Sequence, residues 1–416
     1  MQRLLIDGGR RLEGEVPIHG AKNAVLPILA ATLLGGRSTL YNCPALSDVD
    51  AAGKILAMLG CVLERQDDRI TVDARDITYL DLPEQLMREM RSSILFLGAI
   101  LARCGRACLS FPGGCELGAR PIDLHIEGLR RLGASIVEEH GCLRCRIDGR
   151  FRGAEITLPF PSVGATENIL LAAVTAEGRT TLHNAAREPE ICDLADFLNA
   201  CGGAVTIEGD RITVEGVEAL HDGVHRVIPD RIEAATYLCA GAATGGELLL
   251  TGVCPRHLSA VLPMLEKVGC RIEAGENSIR LRAPARLAAV DSVKTMPYPG
   301  FPTDAQAPLM AALCTARGTS MFVENIFEAR YKHVGELLRM GARIEVEGRV
   351  ALVRGVEALS GANLCCTDLR GGAAMVIAAL AAEGRSTLTG LRHIDRGYQD
   401  LEQGLCRVGA KISRER

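Results

Sequence analysis

Residues 23–31 read Asn23-Ala24-Val25-Leu26-Pro27-Ile28-Leu29-Ala30-Ala31, a run in which only the first residue is polar. A helix that is apolar on every side has no face for solvent and must be buried among other elements. Glycine and a strand pattern follow, then a polar loop, an amphipathic helix and a closing pair of strands. The stretch therefore predicts an α/β unit with its first helix inside and its sheet outside.

The same order of elements recurs six times along the 416 residues. Each amphipathic helix ends in a hydrophobic residue, a glycine and a small residue, and these glycines are about 70 positions apart. Six such units fall into two groups of three. The repeat therefore predicts two inside-out α/β domains, each of three repeated units with sheets outside and buried helices inside. The glycines are Gly60, Gly133, Gly202, Gly269, Gly341 and Gly409.

The chain is expected to cross between the groups near Gly20–Lys22 and near Ile228–Asp230. Residues 22–229 would form the first domain, which carries a cysteine loop. Residues 1–21 and 230–416 would form the second domain, which is discontinuous because the N-terminal strand returns to it. The active site is expected in the cleft between the two domains.

Composition excludes several function classes. Apolar residues make up 48% of the chain, which is ample for large cores, and the net charge is −4. An acidic chain has no bulk charge for binding nucleic acid. No apolar run approaches the ~20 residues of a membrane span, and the N-terminus has no apolar core of a signal peptide. These features predict a cytoplasmic protein that binds neither membrane nor nucleic acid, with reduced cysteines.

Two of the 16 cysteines form a motif that invites a metal interpretation. Cys142-Leu143-Arg144-Cys145 is a CxxC motif, but no second pair accompanies it at zinc spacing. Leu143, Cys145 and Ile147 alternate as they would on a strand, which favours core packing. No metal site is predicted.

The segment Phe111–Pro121 contains three glycines around Cys115. Glycine permits backbone conformations that other residues avoid, so the segment reads as a loop. Arg120 is close enough in sequence to favour the thiolate or to hold an anionic substrate. The alternative is a turn with an incidental small hydrophobic residue, and the local sequence supports both readings equally.

Polar and charged residues stand where the buried helices are expected to begin. Helix N-termini have unpaired N–H groups and bind anions, although ordinary capping explains Ser, Thr, Asp and Asn equally well. Capping explains cations poorly, because a positive charge is disfavoured at a helix start. An anionic ligand would reverse that penalty. The predicted starts are Lys22-Asn23, Arg91-Ser92-Ser93, Ser162–Thr166, Asp230-Arg231, Thr303-Asp304 and Asp368–Arg370.

Six motifs spread over the whole chain carry a family resemblance. With them the sequence resembles the enolpyruvyl transferases, and among these the members that use UDP-N-acetylglucosamine. The resemblance implies the same fold of two inside-out α/β domains. Ala329, Gly371 and Gln399 depart from residues common in relatives, but none of them removes a proposed catalytic group. The motifs are Gly20–Asn23, Pro112–Pro121, Ser162–Thr166, Phe301–Asp304, Asp368–Arg370 and His393–Tyr398.

The resemblance implies transfer of the enolpyruvyl group of phosphoenolpyruvate to the 3′-hydroxyl of UDP-N-acetylglucosamine, with release of phosphate. This reaction begins peptidoglycan synthesis, and through the cell wall it serves cell shape and division. No cofactor is implied. Catalytic roles fall to Cys115, Asp304, Lys22 and Arg396. Phosphoenolpyruvate would be held by Lys22, Asn23, Arg120, Arg330, Arg370 and Arg396. The nucleotide sugar would contact Asn23, Arg91, Arg120, Pro121, Ile122, Asp123, Leu124, Ser162, Val163, Gly164, Asp304 and Ile326.

The chemistry of these groups agrees with the implied roles. Cys115 is suited to deliver a proton to C3 of phosphoenolpyruvate, and the resemblance also implies that the epoxide phosphonate fosfomycin targets this thiol. Asp304 is suited to accept the proton of the hydroxyl or to orient it. The cations would stabilise the phosphate, the carboxylate and the tetrahedral intermediate.

Three other functions compete with this one. A shikimate-pathway enolpyruvyl transferase would share the fold and the donor, but the cysteine loop argues against it. A catalytically idle nucleotide-sugar sensor would not need Cys115, Asp304 and Arg396. An RNA-end-processing enzyme built from related repeats would be expected to be less acidic and to carry a nucleotide-linking histidine motif.

Overall fold

The computed structural model describes residues 2–78, 81–82, 93–110 and 122–415. The predicted site residues Arg91, Cys115, Arg120 and Pro121 lie outside the described residues. The described chain forms two compact units, one from residues 20–228 and the other from residues 2–19 together with 229–415.

The unit formed by residues 20–228 contains three four-stranded sheets with the same strand order. In each sheet one edge strand runs parallel to its neighbour. The remaining two strands form an antiparallel hairpin, and one of them also pairs antiparallel with that neighbour. The sheets are β14(Gly223–Arg226)-β3(Arg37–Tyr41)-β5(Arg69–Asp73)-β4(Val62–Gln66), β6(Asp81–Leu82)-β7(Arg106–Ser110)-β9(Cys142–Arg146)-β8(Ser135–Glu139) and β10(Glu155–Thr157)-β11(Arg179–His183)-β13(Arg211–Glu215)-β12(Ala204–Glu208).

Six α-helices are described in this unit. Of these, α1(Lys22–Ala31), α3(Phe96–Cys104) and α5(Val163–Ala173) are the apolar ones, and every residue of α1 from Ala24 to Ala31 is buried. Short 3-10 turns follow α1 at Thr32–Leu34 and precede α3 at Ser93–Leu95. The helices are α1(Lys22–Ala31), α2(Ser47–Met58), α3(Phe96–Cys104), α4(Asp123–Arg131), α5(Val163–Ala173) and α6(Pro189–Ala200).

The second unit repeats this plan, and the N-terminal strands complete it. Strand β1(Arg3–Asp7) pairs antiparallel with β23(Arg385–Thr389) and β24(Lys411–Glu415), and β2(Glu13–Pro17) pairs parallel with β15(Glu247–Thr251). Its sheets are β16(Arg271–Ala274)-β17(Ser278–Arg282)-β15(Glu247–Thr251)-β2(Glu13–Pro17), β18(Ser292–Lys294)-β19(Thr319–Val323)-β21(Val350–Arg354)-β20(Arg343–Glu347) and β22(Asn363–Cys365)-β23(Arg385–Thr389)-β1(Arg3–Asp7)-β24(Lys411–Glu415).

The buried helices of the second unit are α7(Arg231–Ala243), α9(Thr303–Leu313) and α11(Leu369–Ala381), which pack against one another. Its described helices are α7(Arg231–Ala243), α8(Val261–Lys267), α9(Thr303–Leu313), α10(Val334–Arg339), α11(Leu369–Ala381) and α12(Leu401–Arg407), with 3-10 turns at Pro255–Leu258, Arg330–His333 and Leu391–His393. Neither these nor the other described helices are long and apolar enough to cross a membrane.

Each unit has its own hydrophobic core, formed mainly by its apolar helices and the inner faces of its sheets. The six repeat glycines explain how the amphipathic helices end: their φ angles lie between +90° and +106°. L-residues with a side chain rarely adopt such angles, so glycine is required where each helix turns back into its hairpin. The predicted fold, six repeats with helices inside and sheets outside, is confirmed.

Two arginines hold equivalent helix ends in the two units. The Arg150 guanidinium donates to the carbonyl oxygens of Thr175 (2.9 Å), just beyond α5, and of Val217, just beyond β13. Arg286 donates to those of Thr315 (2.9 Å), just beyond α9, and of Val356 (3.1 Å), just beyond β21. These charge-assisted bonds satisfy one carbonyl group that follows the helix and one that follows the strand.

Replacing Arg150 by methionine is therefore expected to destabilise its unit by about 2 kcal/mol, because carbonyl groups would lose charged donors. Arg286→Met should have a similar effect on the other unit. Arg226→Met, at an exposed position on β14, is the matched control and should change stability by less than about 0.5 kcal/mol. Urea titration followed by circular dichroism measures the difference. Equal midpoints for Arg150→Met and Arg226→Met would contradict the prediction.

Candidate active site

Five of the buried helices begin where the sequence predicts, at Lys22, Val163, Arg231, Thr303 and Leu369. The sixth, α3, begins at Phe96 after the 3-10 turn Ser93–Leu95, later than the predicted start at 91–93. Three of the polar residues before these helices are ordinary caps. Asp230 accepts from the N–H groups of residues 232 and 233, Asp368 from those of 370 and 371, and Ser162 from that of 165. Helices α1 and α9 have no side-chain cap, since Ala21 and Pro302 precede them.

The first turn of α9 carries a carboxylate that binds two arginines. Asp304 Oδ1 accepts from Arg330 Nη2 at 2.8 Å, and Asp304 Oδ2 accepts from Arg370 Nη2 at 2.9 Å. The arginine side chains are only 3% and 2% exposed, whereas that of Asp304 is 26% exposed. The structure thus brings together three of the predicted site residues, and the carboxylate is the member that reaches solvent.

Aromatic rings hold both guanidinium groups in place. Arg370 lies over the ring of Tyr398, 5.3 Å from its centroid, and Arg330 lies 5.6 Å from the centroid of Phe327. A cation over an aromatic face is stabilised by the ring quadrupole. The hydroxyl of Tyr398 is 2.8 Å from Thr236 Oγ1 on α7, which fixes the ring in turn. Because both cations are packed, Asp304 has a defined orientation.

His333 borders this group without adding charge to it. Its Nδ1 lies 3.2 Å from the carbonyl oxygen of Arg330, to which it donates. Burial lowers the pKa of His333 to about 4. The charge of Asp368 and the hydrogen bond to the Arg330 backbone oppose this shift, and the charge of Arg330 adds to it. The imidazole is therefore neutral at physiological pH, and the positive charge beside Asp304 comes from Arg330 and Arg370.

The other unit pairs a helix-start cation with a carboxylate in the same way. Lys22 Nζ lies 3.4 Å from Asp48 Oδ2, and the two side chains are 12% and 2% exposed. Both Lys22 and Arg370 were expected to attract an anionic ligand at a helix start. In the structure each of these cations contacts a carboxylate of the chain itself, and that carboxylate offsets the unfavourable helix dipole.

The starts of α4 and α5 lie against each other. A Cβ atom at Gly164 would be 2.9 Å from Cε1 of His125, so glycine permits this close approach. His125 Nδ1 is 3.1 Å from Asn168 Nδ2, and Asn168 Oδ1 accepts from the N–H of Gly98. This buried network links two segments predicted to contact the nucleotide sugar. They are Ile122–Leu124 and Ser162–Gly164.

The remaining predicted residues are distributed over both units. Asn23 is half-buried beside Lys22, and Arg396 is half-buried after the turn Leu391–His393. Ile326 follows β19 and donates its N–H to Glu324 at 2.8 Å.

The sequence pointed to no role for His125 or Glu324, and it pointed to Tyr398 only as the end of the motif His393–Tyr398. His125 lies on the buried face of the amphipathic helix α4, where it resembles plain core. Glu324 left a weak signal, because it is a lone acid directly after the apolar strand β19.

The cysteines in the described part of the chain form no disulfide bonds. Cys145 is buried on β9, as predicted, and burial raises its pKa to about 12. Burial likewise raises the pKa of Cys61 to about 11 and that of Cys270 to about 12. Cys192, Cys365 and Cys406 are exposed. Within the described ranges, no three His, Cys, Asp or Glu side chains converge as ligands for a metal ion.

Comparisons with known proteins agree with this architecture. The family model described as EPSP synthase (3-phosphoshikimate 1-carboxyvinyltransferase) matches residues 6–405. UDP-N-acetylglucosamine 1-carboxyvinyltransferase 2 of Caldanaerobacter subterraneus subsp. tengcongensis is 51% identical over 416 residues, covering 100% of both chains. UDP-N-acetylglucosamine 1-carboxyvinyltransferase 1 of Symbiobacterium thermophilum is 50% identical over 99% of this chain and 95% of its own.

A solved structure shows the same fold. The enolpyruvyl transferase NikO from Streptomyces tendae superposes with a TM-score of 0.89 at 26% identity, covering 99% of this chain and 98% of its own. The resemblance seen in the sequence motifs is thereby confirmed. The chain belongs to the EPSP synthase family of enolpyruvyl (carboxyvinyl) transferases.

Proposed function

We propose that the protein transfers the enolpyruvyl group of phosphoenolpyruvate to the 3′-hydroxyl of UDP-N-acetylglucosamine and releases phosphate. The observation that carries this proposal is identity of 51% and 50%, over nearly the whole chain, to two proteins named for this transfer. The reaction would be the first committed step of peptidoglycan synthesis. We place it in the cytoplasm, where the 16 thiols would stay reduced.

The transfer is an addition followed by an elimination. The hydroxyl oxygen bonds to C2 of phosphoenolpyruvate and loses its proton, while C3 gains a proton, which gives a tetrahedral intermediate. Phosphate then leaves from C2 and a proton leaves C3, so that the double bond reforms. Each half therefore needs one group that gives a proton and one that takes it.

Asp304 is proposed to orient the acceptor hydroxyl and to take its proton. Its partial exposure and its two buried arginine partners support this role, since a fixed carboxylate that reaches solvent can meet a substrate group. Cys115 is proposed to deliver the proton to C3. An ordinary thiol has a pKa of ~8.5, so it is largely protonated at neutral pH.

Cations are proposed to hold the donor, because phosphoenolpyruvate carries a phosphate and a carboxylate. It would be bound directly by Lys22, Asn23, Arg120 and Arg396. Arg330 and Arg370, the two partners of Asp304, would bind it as well. The acceptor would contact the paired helix starts described above and Ile326. Arg91, Arg120, Pro121 and Asn23 complete the proposed acceptor site.

A phosphate-release assay tests the proposal. Phosphoenolpyruvate is supplied with either UDP-N-acetylglucosamine or 3-phosphoshikimate, since the family model is described by the second acceptor. We expect release only with the nucleotide sugar, together with a product heavier by one enolpyruvyl group in mass spectrometry. Release with 3-phosphoshikimate alone would establish the shikimate reaction instead, and release with neither would refute both.

A further inference from the structure

Glu324 is a buried carboxylate that bonds to two different segments of the second unit. It directly follows β19 and is 0% exposed. Its Oε1 accepts from the backbone N–H groups of Ile326 (2.8 Å) and Phe327 (3.0 Å). Its Oε2 accepts from Thr303 Oγ1 at 3.0 Å. All three neighbours are donors, which suits an acceptor-only group and offsets the cost of burying it.

Both segments lead directly to the Asp304 group. Thr303 is the first residue of α9 and immediately precedes Asp304, and its carbonyl oxygen accepts from Arg330 Nη2 at 2.9 Å. On the other side, the ring of Phe327 packs against the Arg330 guanidinium. Glu324 is therefore bonded to Thr303, which precedes Asp304. It is also bonded to Phe327, whose ring supports Arg330, the partner of Asp304.

We infer that Glu324 is a positioning residue for the transfer, acting through Thr303 and Phe327 to fix the Asp304–Arg330 pair. This inference rests on the proposed function. A misplacement of a reacting group by about 1 Å can cost ~10²-fold in rate. A buried side chain that holds the residue next to Asp304 therefore affects turnover without touching substrate. The backbone bonds to Ile326 and Phe327 also set the loop proposed to contact the nucleotide sugar.

A simpler role is local: Glu324 would merely satisfy the N–H groups of its own loop. The two roles differ in whether the bond between Glu324 and Thr303 affects turnover. Thr303→Val removes that bond alone and leaves the loop contacts intact. Glu324→Ala removes both. Glu324→Gln can keep both, because its carbonyl can accept from the loop and its amide can donate to the threonine hydroxyl.

The test measures kcat and both KM values for the full chain and these variants, with thermal unfolding as a check on folding. We expect kcat to fall ~10-fold in Thr303→Val, with KM for the nucleotide sugar unchanged. Glu324→Ala should lose ~10²-fold in kcat and also raise that KM, while Glu324→Gln stays within ~3-fold of the original protein. The double variant Thr303→Val/Glu324→Ala should be no worse than Glu324→Ala, because both changes break one connection.

Thr251→Val is the matched control, since Thr251 Oγ1 donates to the Glu15 carboxylate at 3.1 Å at the surface of the same unit. Its kcat should not change. The inference is overturned if Thr303→Val keeps its full kcat, or if it loses no more than Thr251→Val. If Glu324→Ala fails to fold, the kcat values of Thr303→Val and Glu324→Gln still test the inference. An unmutated protein that releases no phosphate would instead overturn the proposed function, and the inference with it.

Discussion

Replacing Asp304 by alanine is expected to lower turnover about 10³-fold, because the acceptor hydroxyl would lose the group that orients it and takes its proton. The same change leaves Arg330 and Arg370 buried without their carboxylate. Breaking a buried ion pair on one side is strongly destabilising, and we expect a loss of about 3 kcal/mol. Steady-state kinetics and urea titration measure the two effects separately.

Asp304→Asn separates charge from shape. Its carbonyl oxygen can still accept from one arginine, but its amide group would face the other, so part of the stability should return while turnover stays low. A kcat near that of the unmutated protein in either variant would contradict the assigned role.

The chain offers a matched control in Asp7, which also bridges two cations. Asp7 lies 2.6 Å from Arg385 Nε and 2.7 Å from Lys411 Nζ, but these side chains are 59% and 60% exposed. Exposed ion pairs contribute little, so Asp7→Ala should cost less than about 1 kcal/mol and leave turnover unchanged. A similar loss of stability in both alanine variants would show that burial of the arginines is not what matters.

The fold could be predicted because its determinants are local. The apolar run at 23–31 requires a buried helix, and six glycines at a regular interval mark six turns with positive φ. Each signal needs only a few neighbouring residues, and the repeat multiplies it. The same repeat explains why strand β1 lies between β23 and β24. Without β1, the last of the six repeats would lack one strand of its hairpin.

The partners of the charged residues could not be predicted in this way. Arg370 was expected to bind a ligand, yet its Nη2 bonds to Asp304, 66 positions earlier in the chain. Such a pairing depends on how α9 and α11 pack, and one sequence contains no periodic signal for it. The bond between Thr303 and Glu324 was missed for the same reason, since a lone acid after a strand usually faces solvent.

An electrophile shaped like phosphoenolpyruvate, such as fosfomycin, is expected to alkylate Cys115 and none of the other fifteen cysteines. The described cysteines fall into groups that explain this selectivity. Buried thiols such as Cys43 and Cys366 have their pKa raised to about 12, chiefly by burial, so the thiolate is absent and access is blocked. Exposed Cys192 is flanked by Asp193 and Asp196, which raise its pKa further and would repel a phosphonate.

The sequence around Cys115 differs from these surroundings, although this residue lies outside the described ranges. Gly113 and Gly114 precede it in the sequence, and the cationic residue Arg120 follows five positions later. A bound phosphonate would align the epoxide carbon for attack by the thiolate. Iodoacetamide, which is small and uncharged, is the control reagent: it should also label Cys365 and Cys406, which are exposed.

Two substitutions of Cys115 should separate proton donation from nucleophilic attack. Cys115→Asp keeps a group that can give a proton but removes the sulfur, so it should retain turnover and resist the epoxide. Cys115→Ala has no such group and should lose turnover about 10³-fold. Peptide mapping by mass spectrometry after brief labelling identifies the modified residue. A label on any other cysteine, with activity lost in proportion, would place the reactive thiol elsewhere and would contradict the assignment of Cys115.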